Sequence, residues 1–345
     1  MGGPVSSLIF SPQNQKKRVM KIDYTQAETQ PGGNTVNTAI AYQKTLETFD
    51  AYGVLGPQTF FHSLTTNLQL RDLMHRVMGE TQTYIPQSPD TDIRQGWYVP
   101  GKQDESYLSY TPNFNPEKYA LPGRDGVGQD FFISSTSPET TAWKLLIDRK
   151  HHSAKTNITI APGRSTIPSD VEDDVLRATD LIAFNAGEAR AFLQRKRPNL
   201  LESIQSEGDA SHVLAMALCL TGPRRALVTN KDKTVSLCDN LTGEIITVKP
   251  PDLEAIQAII QESIGVTLGK KEVSFTGCGD TLLGVFMALE KLAKTGQLQL
   301  SPREQLTVAT TISRFHGWSP KPNIEYLDRD NFQKIVATSV TKVAA

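Results

Sequence analysis

A doubly wound α/β fold, with a mostly parallel sheet covered by helices on both faces, is what this sequence predicts. Three observations carry that expectation. From Asp130 to Asn230, short apolar runs alternate with segments of helical periodicity, the pattern that builds a parallel sheet and its covering helices. The chain has 345 residues, enough for one large α/β domain with a substantial core. Hydrophobic residues make up 38% and charged residues 21%, a globular composition rather than a disordered one. We therefore expect a single domain over residues 1–345.

The elements follow in order. "SSLIF" and "RVMKID" have strand character, with the turn-like "SPQNQKK" between them. A helix is expected from Thr35 to Thr48, where Val36, Ala39, Ile40 and Leu46 form an apolar stripe. "AYGVLG" reads as a buried strand, and Leu68 to Gly79 as a helix closed by its glycine. Residues 80–125 are rich in Thr, Gln, Pro and Tyr, and "QGWYVP" and "ESYLSYTP" within them suggest a strand-and-turn excursion. Strand and helix then alternate: "DFFISS", "PETTAWKLLIDRK", "TNITIAPG", "SDVEDDVLRA", "DLIAFN", "AGEARAFLQRK", "ASHVLAMALCL" and "RALVTN". Two further strands are expected at "TVSLCD" and "EIITVKPP". "DLEAIQAIIQESI" repeats apolar residues at Leu253, Ile256, Ile259, Ile260 and Ile264, a helical period. A long helix to about Lys294 and another from about Pro302 to Phe315 complete the reading.

Charge and cysteine usage exclude several classes. Lys and Arg total 36 against 37 Asp and Glu, a formal net charge of -1. No basic surplus points to nucleic acid. Cys219, Cys238 and Cys278 are far apart and form no CxxC, so neither a disulfide framework nor a zinc ribbon is expected. The opening "MGGPVSSLIFSPQNQ" lacks the apolar core of a signal peptide. No run reaches the ~18 apolar residues that span a bilayer. A cytoplasmic protein that binds no membrane is expected. The histidines show no HExxH spacing, so no zinc site is expected.

Open α/β sheets bind ligands beyond the carboxyl ends of their strands, and three loops there have suitable chemistry. In "PGGNTVN", Gly32 and Gly33 permit a sharp turn and Asn37 brings an amide to a helix entrance, where it can grip hydroxyls. A turn with Asn34 as helix cap is the other reading. In "NAGE", Asn185 and Glu188 offer hard oxygen ligands suited to Mg²⁺. The same spacing describes a capping box. In "FTGCGDTLLGVF", Gly277, Cys278 and Gly279 precede Asp280 at a helix start. Backbone N–H groups there can converge on an anion, and Asp280 can act as a general base beside it. Asp280 as a plain cap is the alternative.

Taken together, "PGGNTVNTA", "DLIAFNAGEARAFL", "ALVTN" and "TGCGDTLLGVF" resemble, in content and order, the motifs of the ribokinase (PfkB) family of sugar and nucleoside kinases. The resemblance runs from about Pro31 to Trp318. It implies a ribokinase-like α/β domain with a small β lid, whose strands fall within residues 5–23 and 95–112. It implies transfer of the γ-phosphate of ATP to a hydroxyl of a sugar or nucleoside, with Mg²⁺ and often a monovalent cation. Under it, Asp280 is the base and Gly277, Cys278 and Gly279 form the anion hole. Asn185 and Glu188 place Mg²⁺ and phosphates, and Gly32, Gly33 and Asn37 meet the substrate. Thr229 and the segment around Ala309 lie near the nucleotide. Some relatives pair as homodimers through the lid. The version "GGNTVN" favours a sugar acceptor over adenosine.

The chain departs from the family pattern in four places. Its first strands look like the lid hairpin, without the preceding core strand and its aspartate. The usual "TlGekG" reads "TNKDKT" (Thr229 to Thr234), with Lys231 and Thr234 in place of glycines. The helical segment from Leu253 precedes the signature, where a surface helix flanking the nucleotide site is expected, and Ser274 stands where Asp is frequent. Cys278 occupies a position that is commonly Ala. These departures leave open a second class of function, a ligand-binding protein that has kept the kinase fold without catalysis.

Overall fold

The computed structural model describes residues 34–49, 95–98, 106–109, 130–134, 140–152, 156–163, 167–204, 210–231, 233–249, 252–265, 267, 277–318 and 329–344. The expected hairpin at 5–23, the strand "AYGVLG" and the helix from Leu68 lie outside them. The first described element is α1 (Asn34–Thr48). Strands β1 (Gln95–Tyr98) and β2 (Ser106–Ser109) pair antiparallel as a separate two-stranded sheet, with Trp97 opposite Tyr107.

A six-stranded sheet forms the frame. Its order follows the chain: β3 (Asp130–Ser134), β4 (Asn157–Ala161), β5 (Leu181–Asn185), β6 (Arg225–Thr229), β7 (Val235–Asp239) and β8 (Ile245–Val248). The strands from β3 to β6 run parallel, while β7 and β8 turn back antiparallel. The sheet is thus mixed at one side.

Side-chain alternation along the strands divides the core into two layers, since successive residues point to opposite faces. On β5, Ile182 and Phe184 enter one cluster, while Leu181 and Ala183 enter the other. On β6, Ala226 and Val228 separate from Leu227 in the same way. The first cluster is covered by α2 (Thr140–His152), α3 (Glu172–Ala178), α4 (Ala186–Lys196), α5 (Pro198–Ile204) and α6 (Ser211–Cys219). The second is covered by α1 with α7 (Leu253–Ile264), α8 (Cys278–Lys294), α9 (Pro302–His316) and α10 (Arg329–Ala344). Helices therefore cover both faces, as the alternation predicts. The sequence reading assigned no element to α5 or α10.

Local signals explain where the helices start. Ser301 caps α9 through Glu304 N, Glu304 bonds back to Ser301 N, and Pro302 fills the first helical position. Asp252 caps α7 by accepting from Ala255 N at 2.8 Å. Helix α7 does more than flank the sheet: Ile256, Ile259 and Ile260 are buried in the core shared with α8 and α9.

Helix α8 is the centre of its layer. Leu282, Leu283, Val285, Phe286, Ala288, Leu289 and Leu292 are all buried, which makes it apolar around most of its circumference. Each such leucine or phenylalanine contributes about 1.5–3 kcal/mol relative to exposure. Near its far end, Glu290 forms a two-pronged ion pair with Arg225 at the start of β6, one prong being Nη2 to Oε2 at 3.0 Å. Forked pairing of this kind fixes geometry as well as charge. Among the described residues, no helix is long and apolar enough to cross a membrane.

Candidate active site

The N-terminus of α8 is shaped by Gly277, whose φ of 79° is the left-handed conformation that glycine adopts without strain. Its carbonyl accepts from Thr281 N at 2.8 Å and closes the first turn over Cys278, Gly279 and Asp280. The N–H groups of a first turn have no acceptor inside the helix, and the helix dipole adds partial positive charge there. A Cβ built on Gly279 meets no atom within 4 Å, so the space beside that turn is open. Such a turn is suited to an anion. Helix α9 braces it: Ser313 Oγ donates to the Cys278 carbonyl at 2.7 Å. Cys278 is half-buried.

Asp280 does not cap its helix. No side chain caps α8, and Asp280 Oδ2 instead accepts from Asn37 Nδ2 on α1 at 3.1 Å. Asn37 is 3% exposed, and its Oδ1 has no hydrogen-bond partner. The close approach of the two helices depends on Gly284, one turn beyond Asp280. A Cβ at that position would stand 2.3 Å from Thr38 O, 2.7 Å from Ala41 Cβ and 2.9 Å from Tyr42 N.

The surroundings reset the acidity of Asp280. Burial of the carboxyl pushes its pKa up to about 7; the hydrogen bond from Asn37 opposes the shift, and the negative charge of Glu188 adds to it. The residue keeps a little exposed surface, so the group is desolvated yet reachable.

Glu188 reaches Asp280 electrostatically because of where β5 ends. Asn185 is the last residue of β5 and the N-cap of α4. Its Oδ1 accepts from Glu188 N at 2.9 Å, and Glu188 Oε2 accepts from Asn185 N at 3.1 Å. The capping box is therefore real, and it also holds the two oxygen-bearing side chains at the rim beside Asp280. Thr229, at the end of β6, pairs in register with Asn185 and joins the same rim. Ala309 sits on α9 with no exposed surface, inside the core. Gly32 and Gly33 lie outside the described residues. Ser313 and Gly284 were not singled out from the sequence, although the spacing of Asp280 and Gly284, one turn apart, was there to see.

No family model matches the sequence, and no curated protein matches it. Solved structures do. Ribokinase from Giardia lamblia aligns with a TM-score of 0.59 at 14% identity, covering 89% of this chain and 88% of that one. Adenosine kinase from Anopheles gambiae aligns at a TM-score of 0.53 and 15% identity, covering 83% and 79%. A pyrophosphate-dependent kinase of the ribokinase family, solved with a pyrophosphate analog and myo-inositol, aligns at 0.53 and 15% identity, covering 88% and 91%. The chain has a ribokinase-like fold.

Proposed function

We propose that this chain is a phosphotransferase that moves the γ-phosphate of ATP to a hydroxyl of a small sugar or nucleoside, with a sugar favoured. One observation carries the reading. Asp280 stands at a glycine-lined helix N-terminus, turned away from the cap position, with its pKa near 7. A base poised near neutrality beside an anion cradle suits attack of an alcohol on a phosphoryl group. The fold supports the class: the structures it matches are kinases of ribose, adenosine and inositol type. Pyrophosphate-dependent kinases are among them, so the common feature of their donors is a phosphoanhydride.

Each residue then has a role. Asp280 takes the proton from the acceptor hydroxyl. The backbone N–H groups of residues 277–280 stabilise the charge that develops on the phosphoryl oxygens. Asn37 holds Asp280 through Nδ2, while its buried, unpartnered Oδ1 accepts a hydrogen bond from a substrate hydroxyl. Asn185 and Glu188 supply two hard oxygen-bearing side chains at one helix entrance, which would hold Mg²⁺. Mg²⁺, when bound, neutralises negative charge on the donor phosphates. The antiparallel pair β1–β2 is the described part of the lid, closing over the acceptor. We place the reaction in the cytoplasm.

The defining experiment offers the purified protein ATP, Mg²⁺ and a panel of sugars and nucleosides. Transfer to one acceptor, lost in Asp280→Asn, is the expected result; nucleotide binding without turnover on any acceptor would leave a binding protein. The pH profile is a second check. With Asp280 ionising near 7, kcat/KM rises with pH through about 7 and levels above it. Asn37→Ala removes a hydrogen bond that favours the ionised form, so the rise moves to higher pH. A flat profile between pH 5.5 and 8.5 would exclude Asp280 as the base.

A further inference from the structure

We infer that Ser313, on α9, is a positioning residue of the anion cradle: its hydroxyl holds the Gly279 N–H in line for the phosphoryl group. The inference rests on the proposed kinase reading and adds to it a residue that touches no substrate. Helix α9 carries four buried hydroxyl residues, Thr307, Thr310, Thr311 and Ser313. Three of them bond back one turn on their own helix: Thr307 to Arg303 O at 2.8 Å, Thr310 to Leu306 O at 2.6 Å and Thr311 to Thr307 O at 2.9 Å. That is the common way for a helix to satisfy a buried hydroxyl. Ser313 does otherwise. It donates across to the Cys278 carbonyl, 35 residues away, at 2.7 Å.

The carbonyl it selects is the reverse side of an anion donor. Cys278 C=O and Gly279 N–H are opposite ends of one planar trans peptide, so fixing the oxygen fixes the direction of the N–H. This peptide has little restraint of its own. It lies between Gly277, with a φ of 79°, and Gly279, and glycine leaves the backbone freer than any other residue does. It also belongs to a terminal helical turn, where fraying is greatest. A donor that stabilises charge in a transition state must be in place before the charge appears. The hydroxyl acts in a second way: hydrogen bonds through one amide reinforce each other, so the bond accepted at the carbonyl strengthens the N–H as a donor.

Ser313 is itself held. Leu306, Ile312 and Phe315 of α9 are buried in the same core as Leu282, Phe286 and Leu289 of α8. Core packing between the two helices therefore sets the distance from hydroxyl to carbonyl, while the space beside Gly279 is open. A functional group placed to a fraction of an ångström needs such rigid support.

The test reads this peptide directly. Cys219, Cys238 and Cys278 are followed by Leu220, Asp239 and Gly279. Full-length protein labelled with ¹³C at the cysteine carbonyls and ¹⁵N in glycine therefore gives a single carbonyl-linked amide signal by NMR, that of Gly279. In the wild type the signal shifts on addition of ATP or inorganic pyrophosphate, each with Mg²⁺. In Ser313→Ala the Cys278 carbonyl frequency changes before any ligand is added, and the response of the N–H to both anions shrinks. The same variant lowers kcat about tenfold and leaves the KM for ATP and for the acceptor within about twofold. Ser313→Thr, which keeps the hydroxyl, stays near the wild-type rate. Ser313→Cys is similar in size but has only a weak S–H donor, and it behaves as the alanine variant does. A kcat within about twofold of wild type in Ser313→Ala, a loss expressed in KM alone, or a full rate in Ser313→Cys would overturn the inference. So would a wild-type Gly279 signal indifferent to both ATP and pyrophosphate. A signal that responds to these anions, and loses its response in Ser313→Ala, in a protein that phosphorylates no acceptor would sink the kinase reading alone.

Discussion

Asp280→Asn is expected to slow phosphoryl transfer by ~10²–10⁴-fold and to melt higher than the wild type at pH 8. Both effects have one origin. The carboxyl is desolvated, so its folded-state pKa is raised from 3.8 to about 7. The unfolded chain ionises at the lower value, and between the two the folded state binds more protons. Stability therefore falls as pH rises from about 4 to about 7, and stays low above that. A shift of this size corresponds to about 4 kcal/mol at most. Asparagine fills the same space, keeps an oxygen for Asn37 Nδ2, and carries no charge to desolvate. The gain in Tm should be several degrees at pH 8 and small at pH 5. An equal gain at both pH values would mean that the ionised carboxylate is not under strain in the fold.

Gly284→Ala is expected to cost both stability and activity, against the usual preference of helices. Alanine in a helix interior is favoured over glycine by about 1 kcal/mol. Here the added methyl would stand 2.3 Å from Thr38 O and 2.9 Å from Tyr42 N. Both are backbone atoms, so no rotamer change relieves the clash and α1 must move. Overpacking of this kind costs typically 1–3 kcal/mol, enough to reverse the propensity gain. The displacement carries Asn37, next to Thr38, away from Asp280. A lower Tm with a reduced kcat is the expected outcome. Ala41→Gly, which removes one contact that lies only 2.7 Å away, should not restore either, because the backbone clashes remain. A variant as stable and active as the wild type would show that the helices do not need this closeness.

Local features were legible in the sequence, and long-range ones were not. The capping box at Asn185 and Glu188 and the helix from Leu253 to Ile264 follow from spacing alone. So does the alternation that sorts Leu181 and Ala183 from Ile182 and Phe184. Asp280 could be read as cap or base, and only its bond to Asn37 decides that it is no cap. Such a bond leaves no periodic trace. Helix α10 was missed although Phe332, Ile335 and Val336 are buried; its polar composition hides a narrow apolar stripe. The hairpin "TNKDKT" reads as a loss of glycine at Lys231 and Thr234, and the left-handed residue of its turn is neither of these but Lys233.

The meeting of α1 and α8 also has a consequence for how the protein is made. Asn37 and Asp280 lie 243 residues apart. At synthesis rates of ~5–20 residues per second, roughly 10–50 seconds separate their emergence from the ribosome. Throughout that interval α1 lacks the helix it packs against most extensively, the one that comes to cover Ala41. The earliest helix of the described fold thus waits for one of the latest, and a nascent chain stopped short of α8 leaves Ala41 without that cover and has no site.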